Sequence, residues 1–183
     1  MCKVMAIDPS LTGFAICILE KGGKEVYADE KKTKPVKTLK GRVSRMESLV
    51  LFADKVVVDY EPDYIFIEGY AFNAKGSSGV TLGELGMLVR SNLITMDIKG
   101  LVEVPPTTLK KFITGKGNAN KIAVASTLSS KFNKEFKSDN EADAYGLAQL
   151  GLATQGWQDF KLTKKQEEAV KVVQDLIEKE KSV

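Results

Sequence analysis

The run Lys3-Val4-Met5-Ala6-Ile7-Asp8, then Pro9-Ser10-Leu11-Thr12, then Gly13-Phe14-Ala15-Ile16-Cys17-Ile18-Leu19-Glu20 sets the architecture. Its first part is apolar and closes on an acid, and its last part is a second apolar stretch of strand length. The turn between them carries a proline and ends at a glycine. Lys21-Gly22-Gly23-Lys24 is a hairpin signal and leads to a third, more polar strand over residues 26–31. Three short strands joined by tight turns predict an antiparallel meander.

Further along, the period changes. After a basic stretch over 31–45, Val43, Met46, Leu49, Val50, Ala53, Val56 and Val57 keep helical spacing across residues 39–60. Pro62 breaks that helix, and Tyr64-Ile65-Phe66-Ile67-Glu68 is a strand that again closes on an acid. Residues 71–79 read as a loop, 80–98 as a helix and 102–104 as a short buried strand. Pro105-Pro106 stops that strand, and Thr107 or Thr108 is placed to cap a short helix through Phe112. Helices follow over 121–132, over 140–154 with Ser138 or Asp139 as cap, and over 163–179. This order predicts an α/β fold: a mixed sheet of three antiparallel strands, then parallel strands, flanked by helices.

Composition narrows the chemistry. A chain of 183 residues suits one domain. Its 43% hydrophobic and 28% charged content is that of an ordinary globular protein. No apolar run reaches the ~20 residues that span a bilayer. The N-terminus has no basic-then-apolar signal pattern, so a cytoplasmic location is expected. Histidine is absent, and the two cysteines, Cys2 and Cys17, form no CxxC pair. Both lie in apolar segments, where burial is the plain reading. Zinc chemistry and Ser-His or Cys-His catalysis are thereby nearly excluded. A net charge of +3 does not establish nucleic-acid binding. Lysine supplies 24 of the 27 basic residues, which for a DNA partner favours backbone contacts over bidentate reading of guanine.

Carboxylates are what remain. Asp8 and Glu68 each end an apolar strand, at the sheet rim where loops form sites. Either one alone reads equally well as the first solvated residue after a buried strand. Asp139, Asn140, Glu141 and Asp143 open a helix whose dipole favours negative charge there. Asp139 and Asp143 are four apart and Asn140 and Asp143 three apart, so they share a face, whereas Glu141 points elsewhere. Ala144-Tyr145-Gly146-Leu147-Ala148 is small enough to let this helix press on a sheet and carry Asp143 to the strand-end acids. Such an oxygen-rich set suits Mg²⁺ or Mn²⁺. Two such ions can activate water and steady the leaving oxygen in phosphodiester hydrolysis.

Four stretches in order resemble the RuvC Holliday junction resolvases of the RNase H-like superfamily, especially their phage-borne relatives. They are Ala6-Ile7-Asp8-Pro9-Ser10-Leu11-Thr12-Gly13-Phe14-Ala15, Ile67-Glu68, Pro105 with Lys110-Lys111 and 115–121, and Glu141-Ala142-Asp143-Ala144. The resemblance covers about residues 3–154. It implies an RNase H-like fold and a symmetric dimer that cuts two strands of a four-way junction or related branched DNA. Asp8, Glu68 and Asp143 match its metal ligands. Its fourth ligand, aspartate or histidine, falls at Asn140, and Asp139 one turn before Asp143 is the other candidate. Lys110 or Lys111 and Lys121 match lysines near the scissile phosphate, with Lys116 and Lys75 as further DNA contacts. Tyr70 and Phe72 flank the place of an aromatic that stacks at the junction; packing at the sheet edge is the alternative. The helix from Val80 to Ile98 resembles the dimer helix, through Leu82, Leu85, Leu88, Val89 and Leu93 with Gly83 and Gly86. Residues 1–156 would be the nuclease domain and 157–183 a helical extension packed on it. A flap or general branched-DNA nuclease is the alternative activity. An actin-like kinase fits less well, because Pro9-Ser10 stands where a glycine-rich phosphate turn belongs. A catalytically dead DNA-binding module is disfavoured by three retained acids.

Overall fold

The computed structural model describes residues 2–70 and 77–180. Strands β1 (Lys3–Asp8), β2 (Gly13–Glu20) and β3 (Glu25–Lys32) form the meander. With β4 (Tyr64–Glu68) and β5 (Gly100–Val104) they make one sheet of order β3-β2-β1-β4-β5. The β1–β2 and β2–β3 ladders are antiparallel, and β1–β4 and β4–β5 are parallel. The tight β2–β3 turn places Gly22 and Gly23 at φ 91° and 84°, a region that disfavours side chains.

Among the described residues six helices cover this sheet: α1 (Leu39–Tyr60), α2 (Ser77–Leu93), α3 (Pro106–Thr114), α4 (Lys121–Phe132), α5 (Asp139–Thr154) and α6 (Lys164–Glu180). Helices α1 and α2 lay Leu49, Ala53, Leu85 and Val89 on one sheet face, against Met5, Ile7, Ile16 and Ile67. Helices α3 to α6 cover the other face, where Leu109, Leu128, Leu147 and Ala169 meet Val4, Ala6, Ala15 and Phe66. The central strands are therefore buried on both sides, which is why they read as uninterrupted apolar runs. Edge strand β3 stays half exposed and polar. Helix α6 shares the second core through Ala169, Val170 and Val173, and Gln174 Nε2 donates to the Thr154 carbonyl at 3.2 Å. Among the described residues no helix is long and apolar enough to cross a membrane.

The mixed α/β sheet is as expected, but several element ends differ. Residues 77–79, expected as loop, already belong to α2. Serines suit a helix start as readily as a turn. The same helix stops at Leu93 and not at Ile98. Backbone N–H groups of Thr95 and Met96 turn back to the carbonyls of Asn92 and Leu93, and the Thr95 hydroxyl donates to Asn92 O at 2.7 Å. Neither threonine caps α3. Pro105 stands at its cap and Pro106 in its first turn, where a missing N–H costs little, and Thr108 is buried. That helix runs on to Thr114 and closes at Gly115 with φ 79°. At the start of α5, Ser138 is the cap: its hydroxyl accepts from Glu141 N at 3.1 Å, and Glu141 Oε2 accepts from Lys137 N at 2.8 Å. Phe72 and Lys75 lie outside the described residues.

Candidate active site

Register brings two of the acids together. In the β1–β4 ladder Ile7 lies opposite Ile67, so Asp8 and Glu68 leave the sheet side by side at the strands' C-terminal ends. Alternation then chooses their face. Ile7 and Ile67 pack beneath α1 and α2, so Asp8 and Glu68 turn to the other side, with Ala6 and Phe66. That side is covered by α5.

Small residues let α5 approach closely. A Cβ built on Gly151 would come within 2.6 Å of Val4 Cγ1 and 2.7 Å of Phe66 Cδ2. Asp143 stands eight residues before Gly151, about 12 Å along the helix. Asp8 stands four residues beyond Val4, about 13 Å along β1. The two lengths agree, so an α5 running antiparallel to β1 delivers Asp143 to Asp8. One carboxylate oxygen each from Asp8, Glu68 and Asp143 lies within 4.8 Å of the others.

Crowding three acids under a helix changes their protonation. Burial lifts the Asp8 carboxyl well above the usual range, and Glu68 and Asp143 lift it further. Burial and then Asp143 raise Glu68 to about 7, against the pull of Lys110 and Lys121. Burial raises Asp143 to about 6, with Lys121 opposing and Asp139 adding. The two lysines offset only part of the repulsion. An all-oxygen donor set that is short of positive charge fits a hard divalent cation.

The residues expected around this trio separate into groups. Lys121 opens α4, behind its cap Asn120, and Lys110 lies on α3; both act on the acids electrostatically. Lys111 does not: its Nζ bonds Glu168 of α6 at 2.8 Å. Lys116 is exposed in the turn after α3. Asp139 is half exposed, its carboxylate 4.0 Å from Lys121 Nζ. Asn140 turns its amide to Glu30 on β3, Nδ2 to Oε1 2.9 Å. Tyr70 is engaged within the fold. Its hydroxyl donates to Gly83 O at 3.3 Å, and the Arg90 guanidinium lies 4.6 Å from its ring centre.

Two residues escaped the sequence reading. Arg90 binds Glu103 at 2.6 Å and donates to the carbonyls of Gly86 and Glu68 at 3.0 and 3.1 Å. It fixes the backbone of one acid from behind, and no local pattern ties position 90 to 68. Glu30 sits in an edge strand with acids also at 25 and 29, so nothing in the sequence marked it out. Only the β2–β3 register, Ala15 opposite Glu30, reveals it.

The model of the family described as crossover junction endodeoxyribonuclease RuvC matches residues 4–150. The chain belongs to the RuvC family. It is 27% identical over 152 residues to the enzyme of that name from Caldicellulosiruptor saccharolyticus, covering 80% of this chain and 89% of the relative. For the one from Rickettsia bellii the figures are 26% over 159 residues, 84% and 99%. Thermus thermophilus RuvC, solved in complex with a Holliday junction substrate, has a similar fold: TM-score 0.68, 21% identity, 85% of this chain and 97% of that one. Family membership sets the kinase alternative aside.

Proposed function

We propose that this chain is a metal-dependent, structure-selective endonuclease that hydrolyses phosphodiester bonds in Holliday junctions and related branched DNA. The observation that carries the proposal is the meeting of Asp8, Glu68 and Asp143 within 4.8 Å in a member of this family. In this reading the trio holds two Mg²⁺ ions, Mn²⁺ substituting, with Asn140 or Asp139 as fourth ligand. Divalent cations bound there supply the positive charge that makes a water nucleophilic and steadies the leaving oxygen.

The chain's own part is to position and to neutralise. Lys121 and Lys110 lie close enough to the acids to offset the phosphate's charge, and Lys116 and Lys75 guide the strand's backbone. Tyr70 or Phe72 is the aromatic that stacks on an opened base, worth about 1–3 kcal/mol. Residues 1–156 form the nuclease domain, and 157–183 extend it. The protein acts in the cytoplasm as a homodimer. The dimer face is the outer side of α2, where Val80, Met87 and Leu88 are exposed, with Leu39 and Val43 of α1 beside them.

The test is cleavage of a four-way junction against linear duplex, in Mg²⁺ and in EDTA. Mg²⁺-dependent cutting of the junction alone is expected. Asp8→Asn should abolish cutting and leave junction binding intact. Equal cutting of both substrates would favour a general nuclease.

A further inference from the structure

Asn140 occupies the place where the family resemblance leads one to expect aspartate or histidine, and an acid from across the sheet, Glu30, lies against it. Asp8 pairs with Ala15 and Ala15 with Glu30, so all three side chains leave the same face in one row. Ala15, between the two acids in the row, carries only a methyl group and is fully buried. Glu30 is 12% exposed, and its Oε1 accepts from Asn140 Nδ2 at 2.9 Å. Its other oxygen is 3.8 Å from Lys32, an exposed lysine. Gly13 makes room for the pair: a Cβ there would collide with both Glu30 Oε1 and Asn140 Nδ2.

The bond has a direction. A carboxylate only accepts, so the amide must present its nitrogen to Glu30. Its oxygen is then the amide atom that does not face Glu30, on a residue that stands three positions before Asp143 on the same helix face. We propose that Glu30 is a positioning residue of the metal centre: it fixes the Asn140 amide oxygen toward the centre and supplies from β3 the negative charge that Asn140 lacks. This rests on the metal-centre reading and assigns the fourth ligand to Asn140 over the exposed Asp139.

Calorimetric titration of the cation-free protein with Mn²⁺, without DNA, tests both levels. Asp8→Asn should weaken Mn²⁺ binding; binding unchanged in that variant would overturn the centre itself. Loss of a group that orients a ligand typically costs about 10- to 100-fold in metal affinity, and that loss is expected for Glu30→Ala. Glu30→Gln keeps the acceptor and removes the charge, so a smaller loss is expected. The double change Glu30→Gln with Asn140→Asp moves the charge one residue inward and reverses the hydrogen bond. It should restore affinity to at least the wild-type level. Thermal melting in EDTA confirms that each variant is folded. Asp8→Asn weak but both Glu30 variants at wild-type affinity would overturn the proposal, as would a double variant no tighter than Glu30→Gln alone.

Discussion

The raised carboxyls of Asp8, Glu68 and Asp143 have a consequence for stability. Glu68 and Asp143 titrate at about 7 and about 6 in the folded chain, above the ordinary range near 4 of an unfolded one. Between those limits the folded state keeps protons that the unfolded state has released. Stability of the cation-free protein therefore falls as pH rises through that window. Each group alone contributes about 3 kcal/mol of this loss. Melting temperatures in EDTA should drop between about pH 5 and pH 8, and Glu68→Gln or Asp143→Asn should flatten the drop. Mg²⁺ should restore wild-type stability at the higher pH and do less for the variants. Wild-type and variant profiles that run parallel would remove the electrostatic explanation.

Helices sort neighbouring residues to opposite tasks. Lys110 and Lys111 are adjacent on α3, yet one acts on the acids and the other binds Glu168. Lys110→Ala should slow junction cleavage with little change in melting. Lys111→Ala should leave cleavage intact and lower stability only slightly, since a solvent-screened surface pair contributes little. Cleavage rates and melts of the two variants check this, and equal effects on cleavage would deny the division. The same scale shows what was legible in the sequence. Asp8, Glu68 and Asp143 stood out because each marks the end of a strand or the start of a helix. The α1 and α4 limits were legible from apolar spacing and from Pro62 or Asn120 beside them. The ends of α2 were not, because Ser77 and Ser78 suit a turn as well as a first helical turn, and Ile98 prolongs a helical spacing the backbone abandons. Glu30 and Arg90 were illegible because their partners lie on other elements and only packing joins them.

At the scale of the molecule, α2 has two unlike sides. Leu85, Val89 and Leu93 from the expected dimer stripe are fully buried in the chain's own core, while Val80, Met87 and Leu88 face outward. A dimer through α2 must use the outward set. Met87→Glu should convert it to a monomer in light scattering while leaving the circular dichroism spectrum unchanged. A wild-type chain that is monomeric at high concentration would exclude this interface. The sheet order carries a different consequence, one of time. The three clustered acids are 60 and 75 residues apart along the chain, and the third is carried by α5, which follows both parallel strands in the chain. Contacts between such distant segments form late, because long loops must close before any stabilising contact is gained. A chain still emerging from the ribosome thus holds two acids beneath an uncovered sheet face and lacks the third. A fragment that ends before α5 therefore carries Asp8 and Glu68 without Asp143, and the cluster needs nearly the whole length of the chain to be complete.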